Sequence, residues 1–132
     1  MSESINPEGW PRPSGYSNGS LAEGRFLAIA CQIGWNERGE LVGPTLLAQA
    51  AQAMMNVVAV LRAAGGIPED LVRMTWYVTD KVAYRAALRE LGAAYKEIVG
   101  NVYPAMTLVQ VADLLEEGAV VEIEATAVLP WT

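Results

Sequence analysis

The apolar positions of this chain follow two periodicities, and the switches between them mark its elements. Arg25 to Gly34 (RFLAIACQIG) is an apolar run of strand length that ends at a glycine, which predicts a buried strand. From Pro44 to Ala64 the period becomes helical. Leu46, Leu47, Ala50, Met54, Val57, Val58 and Leu61 recur at three- and four-residue spacing and form one apolar face. Pro44 and Thr45 suit the first turn, and Gly65-Gly66 supply the stop. Leu71 to Thr79 returns to period two. Val72, Met74, Trp76 and Val78 fall on one face, and Arg73, Thr75, Tyr77 and Thr79 on the other. Asp80 is the expected N-cap of a second helix over 82–99, with a stripe of Tyr84, Ala87, Leu88, Leu91, Tyr95 and Ile98. Two strands close the chain, around Ala105 to Ala112 and Ala119 to Leu129, joined by a short acidic turn.

Ahead of these elements, residues 1–14 hold three prolines and read as an extended arm, because proline lacks an amide donor and fixes its own φ. Trp10 in that arm is expected to dock on the domain; a partner contact is the alternative. Gly15 to Gly24 reads as a short strand, a turn and a second turn, and Glu37-Arg38-Gly39-Glu40 as a turn. Two amphipathic helices cannot cover both faces of so small a sheet. The expectation is therefore an α+β sandwich with both helices on one face, in a single domain spanning 1–132. The other face must then take polar residues among Gln32, Thr75, Tyr77, Thr107, Glu122 and Glu124. A polar-spotted face in so apolar a chain predicts burial against copies of itself, with ligand clefts at the seams.

Composition narrows the chemistry. Of the 132 residues, 52% are hydrophobic and 18% charged, which describes a core-rich globular chain. The net charge of −6 and the scattering of nine Lys and Arg argue against a nucleic-acid partner. No apolar run reaches the roughly 18 residues of a membrane span, and the N-terminus has no secretory pattern. With one cysteine, Cys31, no internal disulfide can form, and the simplest placement is the cytosol. The absence of histidine excludes Ser-His-Asp and Cys-His groups and an imidazole base. With a single Cys as well, no zinc site is expected. Carboxylates, hydroxyls, Cys31, Lys or Arg, backbone amides and water remain. Among them Glu122 and Glu124 stand out, because a carboxylate inside an apolar strand is costly unless something pairs with it.

In order and spacing, several short motifs carry a resemblance: Gly15-Tyr16-Ser17, Gln32-Ile33, Ala63-Ala64-Gly65, Val78-Thr79-Asp80, Tyr103-Pro104-Ala105 and Val121-Glu122-Ile123-Glu124-Ala125. From about Gly15 to Val128 the chain resembles the RidA/YjgF family, also called Rid or the L-PSP endoribonuclease group. The resemblance implies a chorismate-mutase-like α+β fold with a mixed sheet. It also implies a homotrimer in which the sheets form a central barrel and three clefts lie between subunits. The best-known members are enamine/imine deaminases that need no cofactor. Their substrates are reactive 2-imino or 2-amino acids, converted to 2-oxo acids and ammonia.

Three positions depart from that pattern, one of them in the substrate clamp. The deaminases keep an arginine directly after Pro-Ala, which clamps the substrate carboxylate in a bidentate pair. Here it is Met106. Losing one partner of such a pair costs about 2–5 kcal/mol. The family's serine and glycine in the buried strand appear as Ala30 and Cys31. By this resemblance Glu122 polarises water for attack on a C=N carbon; alternatively it is satisfied by neighbouring strands or a subunit seam. Glu124 is read as structural. Tyr16 either orients a polar substrate or caps the cleft. Cys31 offers its backbone N–H to a ligand, and its thiol is read as inert without a base to activate it. Met106 lines an apolar pocket, and Gln32 and Trp35 are further lining candidates; Trp76 reads first as core. The functional expectation is an imine or enamine hydrolase acting on a small molecule other than the usual amino-acid-derived one. The alternative is a non-catalytic small-molecule-binding or interaction protein on a Rid trimer. The acidic charge and the lack of histidine disfavour a ribonuclease.

Overall fold

The computed structural model describes residues 1–131. Six strands and three helices follow one another as β1 (Glu3–Ile5), β2 (Gly19–Leu21), β3 (Arg25–Gln32), α1 (Leu46–Ala63), β4 (Leu71–Val78), α2 (Lys81–Ala86), α3 (Leu88–Ile98), β5 (Ala105–Gln110) and β6 (Val121–Leu129). β3 to β6 form one mixed sheet in the order β3-β6-β4-β5. β4 and β5 are parallel and the other pairs antiparallel. The parallel pair needs a crossover, and α2 and α3 supply it. The core lies between one face of this sheet and α1 and α3. This is the α+β arrangement, with helices on one face, that the periodicities predict.

α1 begins where Thr45 turns extended and its side chain accepts from the Ala48 amide (3.2 Å). Its buried stripe is Gln49, Ala50, Ala53, Met54, Val57 and Leu61. It ends at Ala64, and Gly65 at φ 87° reverses the chain while Gly66 N–H closes back onto Leu61 O (2.9 Å). By length and composition alone α1 is apolar enough to cross a membrane, contrary to the expectation from apolar runs; in the structure its buried stripe packs in the core.

The polar member of that stripe holds two loops. Gln49 is fully buried. Its Nε2 donates to Gly43 O and Gly118 O, both at 2.9 Å, and its Oε1 accepts from Val120 N at 2.9 Å. The loop before α1 is thereby tied to the loop that feeds β6. Gly34 is the close approach that permits this: a Cβ there would lie 2.5 Å from Gln49 Cα.

The structure differs from the sequence expectation at four places. The arm is not wholly extended coil, since Glu3–Ile5 pairs antiparallel with β2. Trp10 does not dock on this chain; it is 60% exposed in a turn closed by Trp10 N–H to Pro7 O (3.3 Å). At the start of β4 it is Leu71 that is buried, and Val72 is only half-buried. The pairing with β6 slips between Leu71 and Arg73, so one residue is bulged out and the alternation resets. The second helix is broken at Ala87 (φ −99°, ψ 8°), which ends α2 and starts α3, and hydrogen bonding resumes at once from Leu91 N–H to Ala87 O (2.8 Å).

Gln49→Leu is expected to destabilise the fold by roughly 3 kcal/mol or more, because three buried backbone groups lose their partner. Gly34→Ala is expected to cost about 1–3 kcal/mol through forced separation of β3 from α1. Urea unfolding of both variants checks these values.

Candidate functional site

β6 is the central element of the site. It pairs on both sides, and its residues alternate without interruption between buried and half-buried. The buried set faces the helices, so Glu122, Glu124 and Thr126 face the other way. In register, Glu122 lies opposite Tyr77, Glu124 opposite Thr75, and Thr126 opposite Arg73. β5 continues this helix-free face with Thr107 beside Thr75 and Val109 beside Tyr77. The face also carries exposed Phe26, 72% accessible and in register with Val128.

β3 joins the group through a bulge. Ile29 pairs with Ala125 and Gln32 with Ile123, so Ala30 and Cys31 together oppose Glu124. The bulge sets the Cys31 thiol near Glu122 and Glu124. Burial first, then the two carboxylates, push this thiol from its ordinary 9.0 up to about 11. It is a protonated donor at neutral pH, as the absence of an activating base predicts. On the far side of β6, the Tyr77 hydroxyl donates to Glu124 Oε1 at 2.6 Å. That bond holds the phenol protonated, with its pKa raised to about 12. Glu124 therefore has a structural partner, whereas Glu122 has a thiol. The ion pairs among the described residues are Met1–Asp70 and Arg38–Glu40, and neither strand carboxylate belongs to one.

Met106 lies elsewhere. It registers with Met74, which registers with buried Ala125, so it faces the helices. There it lines a cavity of about 340 Å³ with Trp76, Tyr84, Leu88, Tyr95 and Tyr103. Ser14 and Gly15, just before Tyr16, form another part of the wall. They are held against β5 by Ser17, whose N–H donates to Pro104 O (3.1 Å) and whose hydroxyl donates to Tyr103 O (2.6 Å). Tyr16 itself is exposed beside this anchor. Two of the short sequence motifs, Gly-Tyr-Ser and Tyr-Pro-Ala, thus meet through backbone contacts.

The five predicted site residues fall into separate places. Cys31 and Glu122 share the helix-free face near the β3 edge. Tyr16 and Met106 belong to the opposite edge, with Met106 on the opposite face. Gln32 joins neither group. Beyond the bulge its amide turns back to Ala30 O (3.1 Å) and its oxygen accepts from Trp35 Nε1 (3.5 Å). Trp35 lies with it at the end of β3, bridged to Leu41. Sequence reasoning missed Tyr77 as the partner of Glu124, although its place on the polar side of β4 was the available signal. Of the predicted apolar stripe, Tyr95 lies in the core, Tyr84 packs against it and Leu88 is exposed, and all three also wall a cavity. Among the described residues no cluster of three metal-ligating side chains occurs.

Comparison with known proteins agrees with this architecture. The family model described as Endoribonuclease L-PSP matches residues 11–129. A RutC family protein of Pyrococcus horikoshii is 33% identical over 96% of this chain and 98% of its own length. A goat (Capra hircus) protein named 2-iminobutanoate/2-iminopropanoate deaminase is 33% identical over 86% of this chain and 79% of its own. A crystal structure of a Rid-family protein of unknown function from Yersinia pestis superposes with a TM-score of 0.86 at 39% identity, covering 97% of this chain and 98% of that one. With the fold, the motif contacts and the matched span in agreement, the chain belongs to the RidA/YjgF family, the group whose model is described as Endoribonuclease L-PSP.

Proposed function

We propose that this protein is a hydrolase of small imines or enamines, acting in a cleft between protomers of a homotrimer. The observation that carries the reading is Glu122: a carboxylate on an open sheet face, in no ion pair among the described residues, with a protonated thiol as its neighbour. A base must reach water, and that environment suits the task. The division of the site supports the cleft. Met106 and Glu122 lie on opposite faces of one sheet, near opposite edges. The two do not meet within one chain, so a cleft that unites them needs a second copy. The relatives named as deaminases lend the reaction class.

The chemistry is the addition of water across C=N. Glu122 accepts one proton as the water oxygen bonds to carbon, then returns it to nitrogen. A second transfer, from the new hydroxyl through the same carboxylate to nitrogen, accompanies C–N cleavage. A carbonyl compound and ammonia or an amine result. The protonated Cys31 thiol is a neutral neighbour of the carboxylate; it is not the nucleophile.

The second reading is a non-catalytic ligand-binding protein. It is favoured by Met106, which presents a thioether to an aromatic cavity at the position where the deaminases hold a cation.

Turnover of a panel of imines, with and without a carboxylate, distinguishes the two. Wild type is expected to exceed the free reaction on at least one imine lacking a carboxylate, and Glu122→Gln to lower kcat by about 10²–10⁴-fold. If no imine is turned over while ligands still bind equally to Glu122→Gln, the second reading stands. Alkylation of Cys31 by iodoacetamide gives an independent check. The thiol pKa is raised, so the folded protein keeps its proton as pH rises through the ordinary range near 9 and loses it only toward about 11. Alkylation is expected to stay slow to pH 9 and to accelerate at lower pH in Glu122→Gln, where one of the carboxylates that raise the pKa is gone.

A further inference from the structure

The cavity walled by Met106 has a composition that selects its occupant. Its sides are rings: Trp76 meets Tyr84 edge-to-face at 6.2 Å, and Tyr95 stacks on Tyr103 at 5.5 Å and 16°. Leu88 and Met106 complete the apolar surface, and no Lys or Arg lines it. The Tyr95 hydroxyl is already committed to Val102 O. The hydroxyls of Ser14, Tyr84 and Tyr103 also belong to lining residues. Trp76 is 4% exposed, and its indole Nε1–H is buried with no hydrogen-bond partner. That donor is sealed in the packing, out of reach of a molecule in the cavity, so polar contacts to an occupant fall to the hydroxyls of the wall. The volume, about 340 Å³, is at the small end of small-molecule sites and suits a ligand of about one or two rings.

We infer that the molecule taken by this cavity is uncharged, flat and ring-bearing, and that a carboxylate is rejected. That this molecule is a substrate rests on the hydrolase reading above; its chemical class does not. Aromatic walls favour a planar ring by stacking and edge contacts. An anion brought here would lose its water with no cation to replace it. Met106 is then a specificity determinant: it removes the site's demand for a carboxylate.

Three isosteric probes test this by calorimetric titration of the full chain: benzamide, benzoate and ethylbenzene. Benzamide is expected to bind about tenfold or more tightly than benzoate. Ethylbenzene, which keeps the ring and carries no charge, is likewise expected to bind more tightly than benzoate. Met106→Arg should turn the preference toward benzoate. Binding of benzoate by wild type as tight as that of benzamide or ethylbenzene overturns the inference. Met106→Arg that still prefers benzamide overturns the role given to Met106. Failure of the hydrolase reading looks different. The same order of binding with no imine turnover removes the hydrolase and keeps the ligand class. Turnover confined to ringless carboxylate imines removes the ligand class and keeps the hydrolase.

Discussion

The structure depends on a buried amide. Gln49 sits at the first turns of α1 where the stripe would otherwise be apolar, and all three of its hydrogen bonds go to backbone groups of two loops. Those loops have no regular partners of their own at these atoms, and a buried unpaired backbone group is expensive. The amide therefore fixes where the chain enters β6. Since β6 alternates strictly, fixing its entry fixes which residues reach the core and which reach the open face. A slip of one residue would bury Glu122 and Glu124 and expose Val121 and Ile123. The carboxylates of the candidate site owe their position to a side chain on the other side of the sheet.

The same logic explains the division of the site. In a sheet, a residue's face is decided by parity and by any bulge that resets parity. Met106 and Glu122 differ in parity relative to their partners, so one strand's side chain enters the helix-side cavity and the other's leaves the sheet on the opposite side. The bulge in β3 works the other way, bringing Cys31 onto the carboxylate face while sending Gln32 off it. Residues drawn together by a family resemblance are thus not neighbours within one chain. The homotrimer proposed above is the kind of arrangement that would make them so.

The sequence was legible where one physical rule acts alone. The alternation of β6, the stripe and caps of α1, and Asp80 as an N-cap, accepting from Val82 N and Ala83 N, follow from periodicity and turn chemistry. It was illegible where two distant segments decide jointly. Three residues, Glu3–Ile5, carry no periodic signal and become a strand only because Gly19–Leu21 lies beside them. The choice of Leu71 over Val72 for the core is made by the register with β6, some fifty positions away. Nothing at Ala87, neither Gly nor Pro, announces the helix break. For the site, the identities of Glu122, Cys31 and Met106 could be read in advance, but their faces could not. The aromatic cavity was hidden because ring residues at helical spacing look the same whether they fill a core or line a hollow.

The position of β6 in the sheet has a consequence for how the molecule comes into being. It follows every other strand in the sequence, yet it lies between β3 and β4, with Arg25 paired to Leu129 across almost the whole chain. Until β6 is made, β3 and β4 each present an unpaired edge that has nothing to join. The slowest contacts of the fold are therefore its central ones. During synthesis the helices and the β4–β5 crossover can gather early, but the two halves of the sheet stay separate until the acidic strand arrives. The segment that carries the candidate base is also the one that closes the fold.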